Sequence, residues 1–97
     1  MELKVGKTLI GRMLSTGNNA TNEYRWTLID KTVSRTHVEI TLSDPGVPVL
    51  THISETNDTF IGRRKIDREN LQEGQIFEMG QTAILMEAKS KFLKIEI

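Results

Sequence analysis

"HVEITLSDPGVPVLTHI", residues 37–53, carries the pattern that decides the fold. Val38, Ile40 and Leu42 alternate with Glu39 and Thr41, a period of two rather than 3.6. Successive side chains of a strand point to opposite faces, so such a run buries one face and wets the other. "SDPG" (43–46) is turn chemistry: Asp opens it, Pro presets φ, and Gly can take φ > 0. Beyond it Val47, Val49, Thr51 and Ile53 form a second alternating set. His52 is out of phase with Thr51 and Ile53 and is therefore expected on the wet face. The stretch reads as strand, turn, strand.

The same period recurs outward in both directions. Leu3 and Val5 alternate with charged residues, and Leu93, Ile95 and Ile97 alternate with Lys94 and Glu96. "LIG" (9–11) and "QIFEMG" (75–80) read as short strands ended by glycine, and "QTAILMEA" (81–88) as a longer one. "STGNNATN" (15–22) is a polar loop and "EAKSK" (87–91) a short hairpin connection. Only "RKIDRENLQEG" (64–74) has room for a helical turn. Many short strands between regular turn signals predict a β-sandwich or barrel.

Composition sets the outer limits. With 97 residues, one domain spanning 1–97 is expected. A formal net charge of zero argues against a dedicated nucleic-acid binder, and "RRK" (63–65) reads as a solvated loop. The chain lacks cysteine, so it has no disulfide framework and no thiolate chemistry, which fits a cytoplasmic setting. No apolar run reaches the roughly 18 residues of a membrane-spanning helix, and "MELKVGKTLIG" lacks a signal-peptide core. "NAT" (19–21) and "NDT" (57–59) match the glycosylation pattern by coincidence on this reading.

The polar residues suggest three chemistries. Asp30, Ser34 and His37 have the residue types of a hydrolytic triad, but triads gather residues from separate elements and need a positioned base. His37 and His52 stand 15 apart without regular metal-ligand spacing. Neither G-x-x-x-x-G-K-[ST] nor G-x-G-x-x-G is present. What remains is anion recognition by loops: Gly11-Arg12 ends one strand, Ser34-Arg35 precedes another, and "TND" (56–58) follows a third. Arginine offers a planar fork matched to phosphate or carboxylate, and hydroxyls can donate to the same oxygens.

In order, "IGR" (10–12), "SRTH" (34–37), "TNDT" (56–59), and "LQEG" (71–74) with "IFEMG" (76–80) resemble the forkhead-associated (FHA) domain. The resemblance covers about residues 5 to 88. It implies an all-β fold of the SMAD/FHA-like type, an eleven-stranded sandwich of two antiparallel sheets that binds phosphothreonine peptides. By the same resemblance Arg12, Ser34 and Thr56 are expected to hold the phosphate, and Asn57 and Arg35 the peptide. Gly11, His37 and Thr59 are expected to support the site structurally, Thr59 by building its turn. No catalytic residue, metal or cofactor is implied. The expected partner is a phosphothreonine-containing protein or peptide, bound by a monomeric domain with no nucleic acid and no membrane insertion.

The chain departs from the family pattern in several places. Asp58 stands where the family turn has glycine; aspartate is among the few residues that tolerate φ > 0 there. Its charge would weaken phosphate binding or favour basic peptide residues. Ile61-Gly62 and Gly74-Gln75 replace N-G and G-D and bear on local turns. The stretch between Arg12 and Ser34 is long, with Arg25 as its candidate peptide contact. Little precedes Leu3, so "KFLKIEI" (91–97) is expected to pair with 82–88 and take the place of the usual first strand. The main reading is a phosphopeptide-binding module, not an enzyme. The alternative is a scaffold or assembly module that binds partners independently of phosphate.

Overall fold

The computed structural model describes residues 1–12 and 24–95. The polar stretch 15–22 and Ile97 therefore lie outside the described residues. Ten strands are described: β1 (Gly6–Arg12), β2 (Tyr24–Leu28), β3 (Val38–Leu42), β4 (Val49–His52), β5 (Thr59–Ile61), β6 (Arg64–Lys65), β7 (Arg68–Asn70), β8 (Ile76–Met79), β9 (Thr82–Ala88) and β10 (Lys91–Ile95). They form two five-stranded sheets, β2-β1-β3-β4-β7 and β10-β9-β8-β5-β6. Among the described residues there is no helix, and so none long and apolar enough to cross a membrane.

The core lies between the sheets. Ile10, Val38, Ile40 and Leu50 meet Phe77, Met79, Ile84 and Phe92, all 0% exposed. Each such side chain contributes about 1.5–3 kcal/mol when fully buried. Phe77 and Phe92 pack edge to face, their centroids 6.4 Å apart.

β3 follows its sequence pattern: Val38, Ile40 and Leu42 are buried while Glu39 and Thr41 are not. The next strand corrects the reading by one residue. Ile40 pairs with Leu50 and Val38 with His52, so Leu50 and His52 face inward. Val47 precedes the strand at 50% exposed, and Ile53 follows it at 43%. A one-residue slip exchanges the two faces of a strand. Val-Leu-Thr-His has no polar residue strong enough to settle the phase by itself. β10 shows the same inversion, with Phe92 facing the core.

Three further expectations are revised. Leu3 and Val5 do not belong to one strand: Leu3 is buried, but Val5 is 63% exposed and β1 starts only at Gly6. Gly6 has φ +116°, which breaks the extended run between them. The segment 64–74 forms strands β6 and β7 instead of a helical turn. β7 pairs with β4 (Thr51 with Arg68, Val49 with Asn70), a partner distant in sequence that local propensity does not see. The sheets are mostly rather than wholly antiparallel, because β1 and β2 run parallel, Thr8 opposite Tyr24 and Arg12 opposite Leu28. A parallel pair needs a crossover of about a dozen residues. The long stretch after Arg12 supplies that length.

The C-terminal strand pairs as expected. β10 runs antiparallel to β9, from Lys91 opposite Ala88 to Ile95 opposite Ala83. Its other side receives the first residues of the chain: Phe92 N–H donates to Met1 O at 2.8 Å and Leu3 N–H to Ser90 O at 2.6 Å. Part of this sheet edge is thereby covered.

Candidate functional site

Register brings the site together. Ile10 lies opposite Val38, and Val38 opposite His52. The residues just beyond these three positions therefore emerge at the same end of the sandwich: Arg12, His37 with its preceding loop, and the segment from Ile53. They line one open cleft of about 610 Å³, in which Arg12, Ser34, Arg35, Thr56 and Asn57 all take part. Lys31, Ser54 and Glu55 line it too and were not singled out by sequence reasoning.

His37 is the hub that holds the loops. It is 0% exposed, and its backbone N–H donates to Ile10 O at 2.9 Å. Its carbonyl accepts from Ile53 N–H at 2.9 Å and Ser54 N–H at 3.1 Å. Its Nδ1 accepts the backbone N–H of Ser34 at 3.0 Å, which places the ring proton on Nε2, 3.1 Å from Asp58 O. His52 meets the same ring edge-on at 5.7 Å and bonds the Thr59 hydroxyl through Nδ1 at 2.8 Å. His52 is thus half-buried rather than on a wet face. Thr59 is fully buried at the start of β5 and not in a turn.

Burial, together with the nearby His52, lowers the His37 pKa below 6.5, against the raising effects of the Asp58 carbonyl and the Asp58 and Asp30 charges. As pH falls, the unfolded chain therefore takes up the proton first. The contribution of His37 is fully present above 6.5 and is lost as pH drops from there through the folded pKa. Urea midpoints are expected to decline as pH falls below 6.5, with a flatter slope in His37→Gln. Equal slopes in the two proteins would contradict this.

Ser34 sits in a chain of hydroxyls. Its Oγ lies 2.5 Å from Ser54 Oγ, 3.2 Å from Thr56 Oγ1 and 3.4 Å from Asn57 Nδ2. Ser54 Oγ already accepts the backbone N–H of Thr56 at 3.2 Å and of Asn57 at 3.1 Å. With both lone pairs used, Ser54 donates its proton to Ser34. Ser34 therefore accepts, and its own proton is left for Thr56 or for an acceptor in the cleft. A serine two residues before Thr56 was the available sign of this turn, and it is a common one.

Arg12 is anchored by its backbone, N–H to Ser34 O at 2.9 Å. Its guanidinium makes one long contact, to Lys31 O at 3.5 Å, and no ion pair among the described residues. Gly11, just before it, is pressed against the Ser34–Arg35 backbone; a Cβ there would overlap the Arg35 carbonyl. Arg25, the candidate peptide contact, is not among the residues that line the cleft. Its guanidinium donates to Thr36 Oγ1 at 3.3 Å, to Arg12 O at 3.5 Å and to Arg35 O. It ties β2 to the backbone of both cleft arginines. Arg25→Ala is expected to cost about 1–2 kcal/mol in chemical denaturation, from hydrogen bonds lost at part-buried acceptors. An unchanged midpoint would show that the clamp carries no load.

Asp30, Ser34 and His37 do not make a hydrolytic relay. His37 engages the Ser34 amide rather than its hydroxyl. Asp30 accepts from Thr32 N–H at 2.9 Å, Thr32 Oγ1 at 2.5 Å and Thr82 Oγ1 at 2.6 Å. Burial pushes the Asp30 pKa up, but these bonds outweigh it and hold the carboxyl below 3.8. Thr32 Oγ1 in turn accepts Gln81 N–H at 2.8 Å, so the loop is tied to the opposite sheet. Asp58 is also placed differently from expectation. No non-glycine residue among those described has positive φ, and Asp58 Oδ1 pairs with Lys65 Nζ at 3.5 Å.

A family model described as FHA domain matches residues 8–80. The chain belongs to the FHA family. Such domains are interaction modules and generally not enzymes. This FHA domain is similar to the FhaA FHA domain solved in complex with the intracellular domain of Rv3910, at 29% identity and TM-score 0.70, covering 88% of this chain and 84% of that one. A second structure, from a structural and functional analysis of phosphothreonine-dependent FHA domain interactions, matches at 29% identity and TM-score 0.70, covering 88% and 79%. The FHA-2 domain of the Mycobacterium tuberculosis ABC transporter Rv1747 shares the fold at 21% identity and TM-score 0.71, over 99% of this chain and 80% of that one. No curated protein matches the chain.

Proposed function

We propose that this FHA domain binds phosphothreonine-containing protein segments in the cleft between Arg12, Ser34 and Thr56-Asn57. One observation supports this most: a guanidinium with no carboxylate partner among the described residues lines the same cleft as a hydroxyl that can turn its proton from Thr56 to a ligand oxygen. A phosphothreonine brings about −1.5 to −2 charge. Arg12, Ser34 and Thr56 supply donors to its oxygens, while Asn57 can pair with the peptide backbone. Hydrogen bonds to a charged group contribute about 1.5–3 kcal/mol each, enough in small number for a reversible complex. Arg35, which lines the same cleft, touches the peptide or its phosphate on this reading. Gly11, His37 and Thr59 support the loops without contacting the ligand.

The reading includes a monomeric binding module without catalysis, acting in the cytoplasm, where kinases make its ligand. Phosphate-independent scaffolding is the competing function; the pairing of Asp58 with Lys65 counts against one of its two supports. Matched phosphorylated and unphosphorylated peptide libraries separate the two. Capture confined to phosphothreonine peptides is expected. Equal capture of both sets would overturn the proposal.

A further inference from the structure

The two sides of the cleft differ in charge. The end of β1 and the β2–β3 loop contribute Arg12, Lys31 and Arg35. The β4–β5 loop contributes Ile53 and Glu55, with Glu55 the only carboxylate among the described residues that line the cleft. Glu55 is exposed and has no ion pair within 4.0 Å among the described residues. Ile53, two residues away, is 43% exposed, an apolar side chain offered next to that carboxylate. Asp58, the acidic residue that the sequence placed nearest the site, is occupied by Lys65 and does not line the cleft.

Building on the phosphothreonine reading, we infer that the cleft prefers segments with a lysine or arginine flanking the phosphothreonine, and that Glu55 and Ile53 read it. With the cations engaged by phosphate, Glu55 keeps no cation of its own. One long basic side chain satisfies both neighbours. Its aliphatic stem lies on Ile53 while its charged head reaches Glu55. An acidic residue at the same place meets like charge. The pair is solvent-facing, so its effect is modest: about 2- to 5-fold in affinity, the range of exposed ion pairs.

The test is a phosphothreonine peptide array in an alanine background, scanning Arg, Lys, Asp and Glu through the flanking positions, with each peptide also made unphosphorylated. The wild-type domain should favour a basic residue at one or more positions. Glu55→Lys should reverse that preference to acidic, and Ile53→Ser should weaken it without reversing it. Absence of any charge preference in the wild type, or an unchanged profile in Glu55→Lys, overturns the inference. A basic preference that depends on Glu55 but is equally strong on unphosphorylated peptides upholds the subsite and overturns the phosphothreonine reading instead.

Discussion

Arg12→Ala is expected to abolish phosphopeptide binding in a domain that remains folded. Among the described residues the guanidinium makes a single long contact, so its loss should change stability by no more than about 0.5 kcal/mol. Its proposed contribution lies with the ligand. Removing one partner of a hydrogen-bonded charge pair costs about 2–5 kcal/mol, because the other charge stays poorly paired. That is about 30-fold to several thousand-fold in affinity. Calorimetry with a phosphothreonine peptide, beside a thermal melt of the same sample, reads both quantities. Unchanged affinity in a folded variant would refute the role of Arg12.

Gly11→Ala should have the largest effect on stability, and should reach the site through the backbone. An added Cβ would overlap the carbonyl of Arg35 and come within 3.0 Å of the Ser34 carbonyl oxygen. These are backbone atoms, which cannot rotate away as a side-chain tip would. Either β1 or the Ser34–Arg35 loop must shift, and overpacking of this kind costs about 1–3 kcal/mol. The displaced segment carries Arg12 N–H bonded to Ser34 O, so peptide affinity should fall together with the denaturation midpoint. Wild-type stability in Gly11→Ala would mean that the close approach is relaxed at little cost.

How legible the fold was depended on the element. β3 was readable because three apolar residues alternate with two polar ones, leaving one phase only. β4 was readable as a strand but not in phase, since Leu50 is its sole fully buried residue and β-branched neighbours stand on both sides. β7 was not readable: Arg68–Asn70 has little strand propensity, and pairing with β4 makes it a strand. For the site, Arg12, Ser34, Thr56 and Asn57 could be named from their order along the chain, and the structure lines one cleft with them. Ser54, Lys31, Glu55 and the clamp of Arg25 could not, because their significance lies in which loop they face.

By itself the sequence determined the strand-rich class, the two-residue period of its best strands, and the order of residue types able to meet a phosphate. These are local properties, set by side-chain chemistry and chain geometry. Tertiary structure alone decided that β1 and β2 run parallel, that His52 turns inward and that Asp58 pairs with Lys65. It also decided that Ser34 accepts from Ser54 and keeps its own proton for Thr56 or an acceptor in the cleft. The physical reason is register: which residue lies opposite which is set by the burial of both sheets at once. The alignment of Ile10, Val38 and His52 carries the end of β1 and two distant loops to one end of the sandwich.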